Sequence, residues 1–323
     1  MWPIISDELP ELSHPTHCML SRETRHHDRT VSVIVAHRNT DANFVAECMA
    51  SIDRQTHPKP AIELIVVDDA STAESLESLK KGVRLVRGVE KDVIELSRQG
   101  GPGAALNTGI GAAQGEFILI LDSDDVIEPD AIAQCVAAAR FDAALVYTDN
   151  ARWDTALTRP MIERRKALFH AHHCSHKGTI EDPLLHLHFI HFCQLYRREA
   201  LEAVDGYRAS LFAGGDYDLN LRIAGLSTVV NFAHVPRLLH RYRVNPAGIT
   251  RTRRLEQIAD TRVALVDAYE RWGLGRFDDV SYIGKMAHGD HSYFTPVVNG
   301  RPMPVSWADL NTMQLRQWIS ETH

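Results

Sequence analysis

A run of apolar residues that stops abruptly in carboxylates is the strongest constraint on what this chain can fold into. Phe117–Leu121 predicts a buried strand, and the sequence Asp-Ser-Asp-Asp follows it at positions 122–125. A buried strand that ends in acids places them at the sheet edge where open α/β folds bind their ligands. Hard oxygen ligands at this spacing suit Mg²⁺ or Mn²⁺, and such a cation commonly carries substrate phosphates. The alternative is an acidic turn that caps the next helix, which would need one carboxylate rather than three.

Strand-like and helical patterns alternate from residue 30 onward, and the segments between the strands carry apolar residues at helical spacing. The predicted strands are 31–36, 62–67, 84–86, 117–121 and 143–147. This order predicts an α/β fold with a mostly parallel central sheet, helices on both faces and right-handed crossovers. The strand at 62–67 ends in Asp68 and Asp69, so two sets of acids should share one edge of the sheet.

The second half of the chain has a less regular pattern. Its predicted elements are a polar loop at 152–177, a helix opening at 214, strands at 228–233 and 236–242, a helix at 255–269, a hairpin turn at 299–300 and a last helix from 306. The hairpin rests on Asn299-Gly300 between two short apolar runs, and the last helix rests on the capping pattern that begins at Ser306.

Composition and charge argue against several classes of function. Of 323 residues, 44% are hydrophobic and 24% are charged, as in ordinary globular proteins. The net charge of −7 gives no general attraction to nucleic acid or to an anionic membrane. Residues 1–29 lack the apolar core of a secretory signal, and no apolar run approaches the roughly 20 residues that span a bilayer. Five scattered cysteines without a CxxC pair favour a reducing compartment, so we expect a cytoplasmic protein.

Several short sequences, in a fixed order, give the chain a resemblance to a known family. They are Val31–Asn39, Glu63–Thr72, Gly103–Gly109, Gly115–Asp125 with Pro129-Asp130, Arg198–Leu201 with Gly206-Tyr207, and Gly214–Arg222. The chain resembles the family 2 glycosyltransferases, inverting enzymes of the GT-A type with a DxD motif. The resemblance implies a Rossmann-like GT-A domain at 30–250, with a nucleotide-sugar half at 30–150 and an acceptor half at 151–250. Residues 1–29 would be an N-terminal extension and 251–323 a C-terminal helical and hairpin extension.

The resemblance implies a metal site for Mn²⁺ or Mg²⁺ at the DxD motif. Asp124 matches the metal-binding acid, and Asp122 is the first acid of the motif, near the ribose or a metal-bound water. A later histidine often completes the metal shell in relatives, but Asn245 stands at that position here. Asp124, the diphosphate and water could then hold the metal, or His240 could substitute for the missing ligand.

On the donor side, the resemblance implies a nucleotide-diphosphate sugar, with UDP-sugars favoured. Asp69 matches the acid that hydrogen-bonds the base, commonly uracil, because a carboxylate accepts from a ring N–H. The alternative role is capping of the following helix, which Asp68 could perform instead. Ala36, Arg38 and Ser123 are the other donor contacts that we predict. Relatives often carry an aromatic residue in place of Arg38, whose guanidinium could stack on the base or reach a phosphate.

On the acceptor side, Asp216 matches the general base that takes a proton from the attacking hydroxyl. Many relatives carry Glu immediately before this residue, where this chain has Gly215. His191 and Asp218 are further acceptor-side candidates, although Asp218 could orient or cap. The acceptor could be a glycan, a lipid-linked molecule, a peptide or a small-molecule hydroxyl, and the C-terminal extension could support a homo-oligomer.

Three other hypotheses remain open from the residues alone. A sugar-phosphate nucleotidyltransferase also uses strand-end acids and Mg²⁺, but it would usually carry a glycine-rich basic loop where residues 37–43 have no glycine. A catalytically silent nucleotide-sugar-binding protein could keep the fold. The arginines at 241, 243, 251, 253 and 254 could lie on a flexible loop that closes over the diphosphate, or on a solvated surface.

Overall fold

The computed structural model describes residues 30–139, 143–164, 173–176, 190, 193–226, 230–273, 280–284, 294–298 and 301–302. The strands are β1 Val31–His37, β2 Ile62–Asp68, β3 Glu90–Glu95, β4 Phe117–Asp122, β5 Val126–Ile127, β6 Ala143–Trp153, β7 Pro160–Arg164, β8 His173–His176, β9 Gln194–Arg197, β10 Val230–Arg243, β11 Val280–Gly284, β12 Phe294–Val298 and β13 Arg301–Pro302. The helices are α1 Ala42–Asp53, α2 Ala73–Leu85, α3 Pro102–Ala112, α4 Ala131–Ala138, α5 Arg198–Glu202, α6 Gly215–Ala224, α7 Ile249–Thr252 and α8 Arg254–Arg271, with a 3₁₀ turn at Lys59–Ala61.

A central sheet built from ten of the described strands organises the molecule. Its order is β3-β2-β1-β4-β9-β6-β10-β5, with β7 added to β6 and β8 added to β10. The strands β3, β2, β1 and β4 are mutually parallel, as are β6 and β10, while β9 is antiparallel to both of its neighbours. The predicted α/β fold with a mostly parallel sheet is therefore confirmed. A separate antiparallel sheet has the order β11-β12-β13.

Helices cover both faces of the sheet and enclose two apolar clusters. One cluster joins the sheet to α1, α2 and α4, and includes Met49, Leu79 and Ile132. The other joins it to α3, α6 and α8, and includes Leu106 and Leu265. Because β1, β2 and β4 are buried on both faces, their sequences read as continuous apolar runs. None of the helices in the described ranges is long and apolar enough to cross a membrane.

Local side chains explain where the first two helices begin. The Asp41 carboxylate accepts a hydrogen bond from the Asn43 amide at 2.8 Å and caps α1. Thr72 caps α2 and accepts from the Ser75 amide at 3.3 Å. The alternative role of Asp68, capping of α2, is not observed, because Thr72 occupies that position. The Asp68 carboxylate accepts from the Ser71 amide at 3.0 Å and closes the turn after β2.

The edge of the sheet departs from the sequence prediction. The strand predicted at 84–86 is wrong, because α2 continues to Leu85 and buries Leu79 and Val83 one helical turn apart. The edge strand is β3, Glu90–Glu95, which is largely exposed and carries charged residues. An edge strand pairs on one side only, so burial does not impose an apolar run on it.

The second half contains more strand than predicted. Part of the predicted loop at 152–177 forms β7 and β8. The two strands predicted at 228–233 and 236–242 are one strand, β10, with register shifts between Val235 and Leu238 and between Leu238 and His240. Pro236 cannot donate a ladder hydrogen bond, which places it at the irregularity. Residues 1–29, the hairpin turn at 299–300 and the predicted last helix from Ser306 lie outside the described residues.

Candidate functional site

The acids predicted from the sequence converge at one edge of the central sheet. Ala36 of β1 is in register with Asp122 of β4, and its neighbour His37 is in register with Asp68 of β2. Residues 122–125, which we call the acid turn, connect β4 to β5, and the Asp125 amide donates to the Asp122 carbonyl at 3.1 Å. The strand β5 then pairs with β10, so both sides of the acid turn are fixed to the sheet.

Asp122 and Asp124 have carboxyl groups that hold their protons unusually well. Desolvation, followed by the charges of Asp125 and Asp124, raises the pKa of Asp122 to about 7, and because Asp122 is exposed, water screens part of this effect. Desolvation and the charge of Asp125 raise the pKa of the partly buried Asp124 to about 6. The acid turn therefore carries more negative charge than its surroundings compensate, and a bound cation would relieve that repulsion.

The acid turn offers oxygen ligands that fit Mg²⁺ or Mn²⁺. The Asn245 amide Nδ2 donates to Asp124 Oδ2 at 3.0 Å. Asn245, which stands where relatives often carry a histidine ligand, therefore lies beside the acid turn. Its Oδ1 accepts from the Ala247 amide at 3.0 Å. Within the described ranges, no group of three or more His, Cys, Asp or Glu side chains could hold a metal ion. A cation at Asp122 and Asp124 would therefore need ligands from the substrate and water.

Asp125 and His240 form a buried ion pair beneath the acid turn. Asp125 Oδ2 lies 2.8 Å from His240 Nε2, and the two side chains are 0% and 2% exposed. Burial alone would lower the pKa of His240, but the hydrogen bond and charge of Asp125 raise it to about 10. The hypothesis that His240 replaces a missing metal ligand is therefore wrong, because Asp125 engages its Nε2. The His240 ring also interacts with the thiol of Cys193, whose sulfur lies 3.9 Å from that of Cys135.

The predicted donor-side residues lie together but already have protein partners. The buried Asp69 carboxylate accepts from the amides of Gly100 at 2.6 Å and Gly101 at 3.0 Å, which holds the start of α3. The exposed Arg38 donates to the carbonyls of Asp69 at 2.5 Å and of the next residue at 2.9 Å. The buried Ser123 hydroxyl lies 2.7 Å from the Thr40 hydroxyl, so it connects the acid turn to the loop after β1.

Asp216 reaches the same region from the other half of the chain. It lies in the first turn of α6, which begins directly after Gly214, and is partly exposed. After desolvation and the charges of Asp125 and Asp124, the charge of Asp216 also contributes to the raised pKa of Asp122, so the two carboxylates interact electrostatically. The Tyr207 ring packs on Gly215, where an added Cβ would lie 3.2 Å from Tyr207 Cδ1. This ring fills the space beside Asp216 that a longer residue at 215 would need.

The other two acceptor-side predictions have different outcomes. Asp218 is 1% exposed, and its carboxylate pairs with Arg222 Nε at 2.8 Å and Arg208 Nη2 at 3.2 Å. It is therefore a structural residue and not an acceptor contact, because both of its oxygens face arginines within the fold. His191 lies outside the described residues.

Sequence reasoning missed the structural roles of two residues that hold this region together. Asn107 of α3 accepts from the Tyr207 amide and donates to the Tyr207 carbonyl, both at 2.7 Å. A signal for it exists, since Asn107 and Thr108 are the polar residues of an otherwise apolar and glycine-rich helix. The other is Arg243, which is 1% exposed and contacts the acid turn. Arg243 lies in a segment with a histidine and a second arginine at 240 and 241, so the local composition does not indicate its burial. The flexible-loop hypothesis does not hold for Arg241 and Arg243, because both lie on β10.

Comparisons with known proteins agree with this geometry. The family model described as Glycosyl transferase family 2 matches residues 32–205, which is more than half of the chain. A poly(ribitol-phosphate) beta-glucosyltransferase of Bacillus spizizenii is 40% identical over 105 residues, covering 32% of this chain and 16% of the relative. The chain therefore matches less than a fifth of that protein.

Solved structures share the fold. S. aureus TarS in complex with UDP-GlcNAc aligns with a TM-score of 0.58 at 19% identity, covering 77% of this chain and 74% of that one. The mannosyltransferase PcManGT from Pyrobaculum calidifontis, in complex with GDP-Man and Mn²⁺, aligns with a TM-score of 0.55 at 20% identity, covering 73% and 64%. Both have a central sheet flanked by helices, as this chain does.

Proposed function

Since the chain belongs to glycosyl transferase family 2, we propose that it transfers a sugar from a nucleotide-diphosphate sugar to an acceptor hydroxyl with inversion. One observation supports this proposal: the charge of Asp216, at the start of α6, acts on Asp122 at the end of β4, in the acid turn that also holds Asp124. Asp122 and Asp124 are suited to the charged end of a donor and Asp216 to an acceptor proton.

For the donor base we propose Asp69, with a UDP-sugar as the donor. Its carboxylate accepts two backbone hydrogen bonds, and a carboxylate has about four acceptor positions, so it can also accept from the ring N–H of uracil. Arg38 stabilises the loop that carries Asp69 and, being exposed, can still present its planar face to the base. Ala36 and the backbone of Ser123 border the same edge. The complex of S. aureus TarS with UDP-GlcNAc supports this choice of nucleotide.

For the metal we propose that Asp124 and Asp122 hold Mn²⁺ or Mg²⁺ together with the donor diphosphate. A divalent cation supplies Lewis-acid stabilisation of the charge that builds on a leaving diphosphate. The raised pKa values of both acids support this assignment, as does the Mn²⁺ complex of the archaeal mannosyltransferase. Asn245 stabilises Asp124 in the ionised state, because its amide donates to that carboxylate.

For the chemical step we propose Asp216 as the general base. A carboxylate oxygen of Asp216 takes the hydroxyl proton of the acceptor, while the acceptor oxygen bonds to the anomeric carbon and the bond from that carbon to the diphosphate breaks. This single displacement inverts the anomeric centre and forms no covalent intermediate with the protein. Because Asp216 is partly exposed, an acceptor can reach it. The Tyr207 ring packs on Gly215 and supports the start of α6. Glycan, lipid-linked, peptide and small-molecule acceptors stay within this proposal, as do a homo-oligomer and a cytoplasmic location.

The test is donor binding followed by transfer. We expect a UDP-sugar to raise the melting temperature in the presence of Mn²⁺ more than a GDP- or TDP-sugar does, because a ligand that binds only the folded state stabilises it by mass action. Asp216→Asn should keep this response and lose sugar transfer to any acceptor that the wild type uses. Glu77→Gln, an acid-to-amide change on the surface of α2, is the matched control. No Mn²⁺-dependent response to any of these donors would refute the proposal, and transfer at the wild-type rate by Asp216→Asn would refute the base assignment.

A further inference from the structure

Arg243, the last residue of β10, is one of the largest fully buried side chains in the described part of the protein. Burying a guanidinium is costly unless all of its charge and its donors find partners. A surface arginine that contacts a phosphate would keep its head group accessible. The side chain of Arg243 is 0% exposed, so its guanidinium contacts groups of the protein and not a ligand in solvent.

The contacts of Arg243 converge on the acid turn. Its backbone amide donates to Asp125 Oδ1 at 2.8 Å, and its Nε donates to the Asp124 carbonyl at 2.6 Å. Both bonds leave the Asp122 and Asp124 carboxylates unobstructed. Arg243 therefore holds the frame of the acid turn and not the groups that would meet a ligand.

The remaining contacts fix the guanidinium to elements on other sides. Nη1 donates to the Thr155 carbonyl in the β6–β7 connection, and Nη2 pairs with Glu47 of α1. The Phe44 ring, also on α1, lies 4.1 Å from the guanidinium carbon. The Arg243 side chain thus joins the acid turn to α1, in the predicted nucleotide-sugar half, and to the β6–β7 connection, in the predicted acceptor half.

We propose that Arg243 is a positioning residue for the donor site, which acts through the acid turn and presents Asp122 and Asp124 to the cation and diphosphate of the donor. This inference rests on the proposed function, because it assumes that those carboxylates bind a cation. Arg243 itself touches neither donor nor acceptor.

The geometry requires arginine rather than a positive charge alone. A guanidinium presents five N–H donors in a fixed planar fork, which lets it reach the carbonyls of Asp124 and Thr155 and the carboxylate of Glu47 at once. A lysine ammonium concentrates three donors on one atom and cannot reach all three sites. Arg243→Lys should therefore keep the charge and lose the placement of the acid turn.

Affinity for UDP, measured by calorimetry with and without Mn²⁺, tests this inference. We expect Arg243→Lys to weaken Mn²⁺-dependent UDP binding by about 10-fold or more, since residues that orient metal ligands typically contribute about 10–100-fold to affinity. Arg241→Lys is the matched control, because Arg241 lies on the same strand, pairs with Glu128 and stacks over Trp153 without contacting the acid turn. It should bind UDP like the wild type.

The design separates failure of the inference from failure of the proposed function. If the wild type shows no Mn²⁺-dependent UDP binding, the donor-site proposal is wrong, and the inference falls with it. If the wild type binds and a folded Arg243→Lys binds equally well, the inference alone is overturned. Should Arg243→Lys not fold, Glu47→Ala decides in the same way, because Glu47 is 48% exposed and its truncation removes the acceptor at the outer end of the guanidinium only. Weaker binding by Glu47→Ala supports the inference, and unchanged binding overturns it.

Discussion

Breaking the buried pair of Asp125 and His240 should be among the most destabilising changes in this protein. His240→Leu leaves the Asp125 carboxylate without its cation, at a site that is 0% exposed. Removal of one partner of a buried ion pair typically costs about 3–5 kcal/mol, because an uncompensated charge is left in a medium of low polarity. Asp125→Asn should cost less, since Asn can still accept from the Arg243 amide and neutral imidazole is tolerated in an apolar site. The double variant should be more stable than His240→Leu alone.

The same pair predicts a pH dependence of stability with a definite sign. Burial opposes the charged imidazole, but Asp125 raises the pKa of His240 from 6.5 to about 10. A group whose pKa is higher in the folded state stabilises fully below its unfolded pKa and loses that contribution as the pH rises through its folded pKa. In a Cys193→Ser background, the loss between pH 7 and pH 9 should approach about 1.4 kcal/mol per pH unit, whereas in the wild type Cys193, whose pKa is lowered to about 6, titrates with the opposite effect on stability. Asp125→Asn should show little of this slope.

Urea unfolding at pH 7 and pH 9, with EDTA present to remove cations from the acid turn, measures both quantities. Because the Cys193 thiol also faces His240, the measurements are repeated in a Cys193→Ser background. A cost below about 1 kcal/mol for His240→Leu at pH 7 would refute the charged pair, since that is the range of exposed ion pairs. In the Cys193→Ser background, equal pH slopes with and without Asp125→Asn would refute the assignment of the titration to His240.

Two further predictions concern the rest of the site. Asp124→Asn should stabilise the metal-free protein at pH 7 by about 1–3 kcal/mol, because a carboxyl whose pKa is raised from 3.8 to about 6 in the folded state destabilises the protein as the pH rises between those values. The same variant should lose the stabilisation by Mn²⁺ with UDP. A thermal shift equal to that of the wild type would contradict this expectation. Asn107→Ala should cost about 2 kcal/mol in urea unfolding, since it breaks two hydrogen bonds to the Tyr207 backbone. It should lower kcat more than it raises the KM for donor, whereas Thr108→Ala on the same helix should do neither.

The parallel core of the fold was predictable because burial on both faces leaves a plain record in the sequence. Strands β1, β2 and β4 appear as largely apolar runs, and the acidic ends of β2 and β4 indicate the edge of the proposed site. β3 was missed since an edge strand does not need apolar residues. The end of α2 was interpreted as a strand because it carries the apolar pair Leu85-Val86. The continuity of β10 depends on bulges around Pro236, which local pattern cannot foresee.

The site residues likewise differ in how far the sequence predicts them. Asp122, Asp124 and Asp216 could be chosen because motif and element boundary coincide at each of them. Asp125 and His240 are separated by 115 residues and Asp124 and Arg243 by 119, so their pairing follows only from the packing of β10 against β5. Asp218 matched a motif but is enclosed by Arg222 and Arg208, which sequence spacing alone does not reveal.

The double engagement of Asp69 has a kinetic consequence. Its carboxylate holds the amides at the start of α3, and Asn107, further along that helix, holds the Tyr207 backbone beside Gly215. A nucleotide that shares this carboxylate would change the hydrogen bonds at the start of α3, and the middle of the same helix holds Tyr207 beside Asp216, the proposed general base. We therefore expect an ordered reaction in which the donor enters first and the acceptor competes poorly for the empty protein.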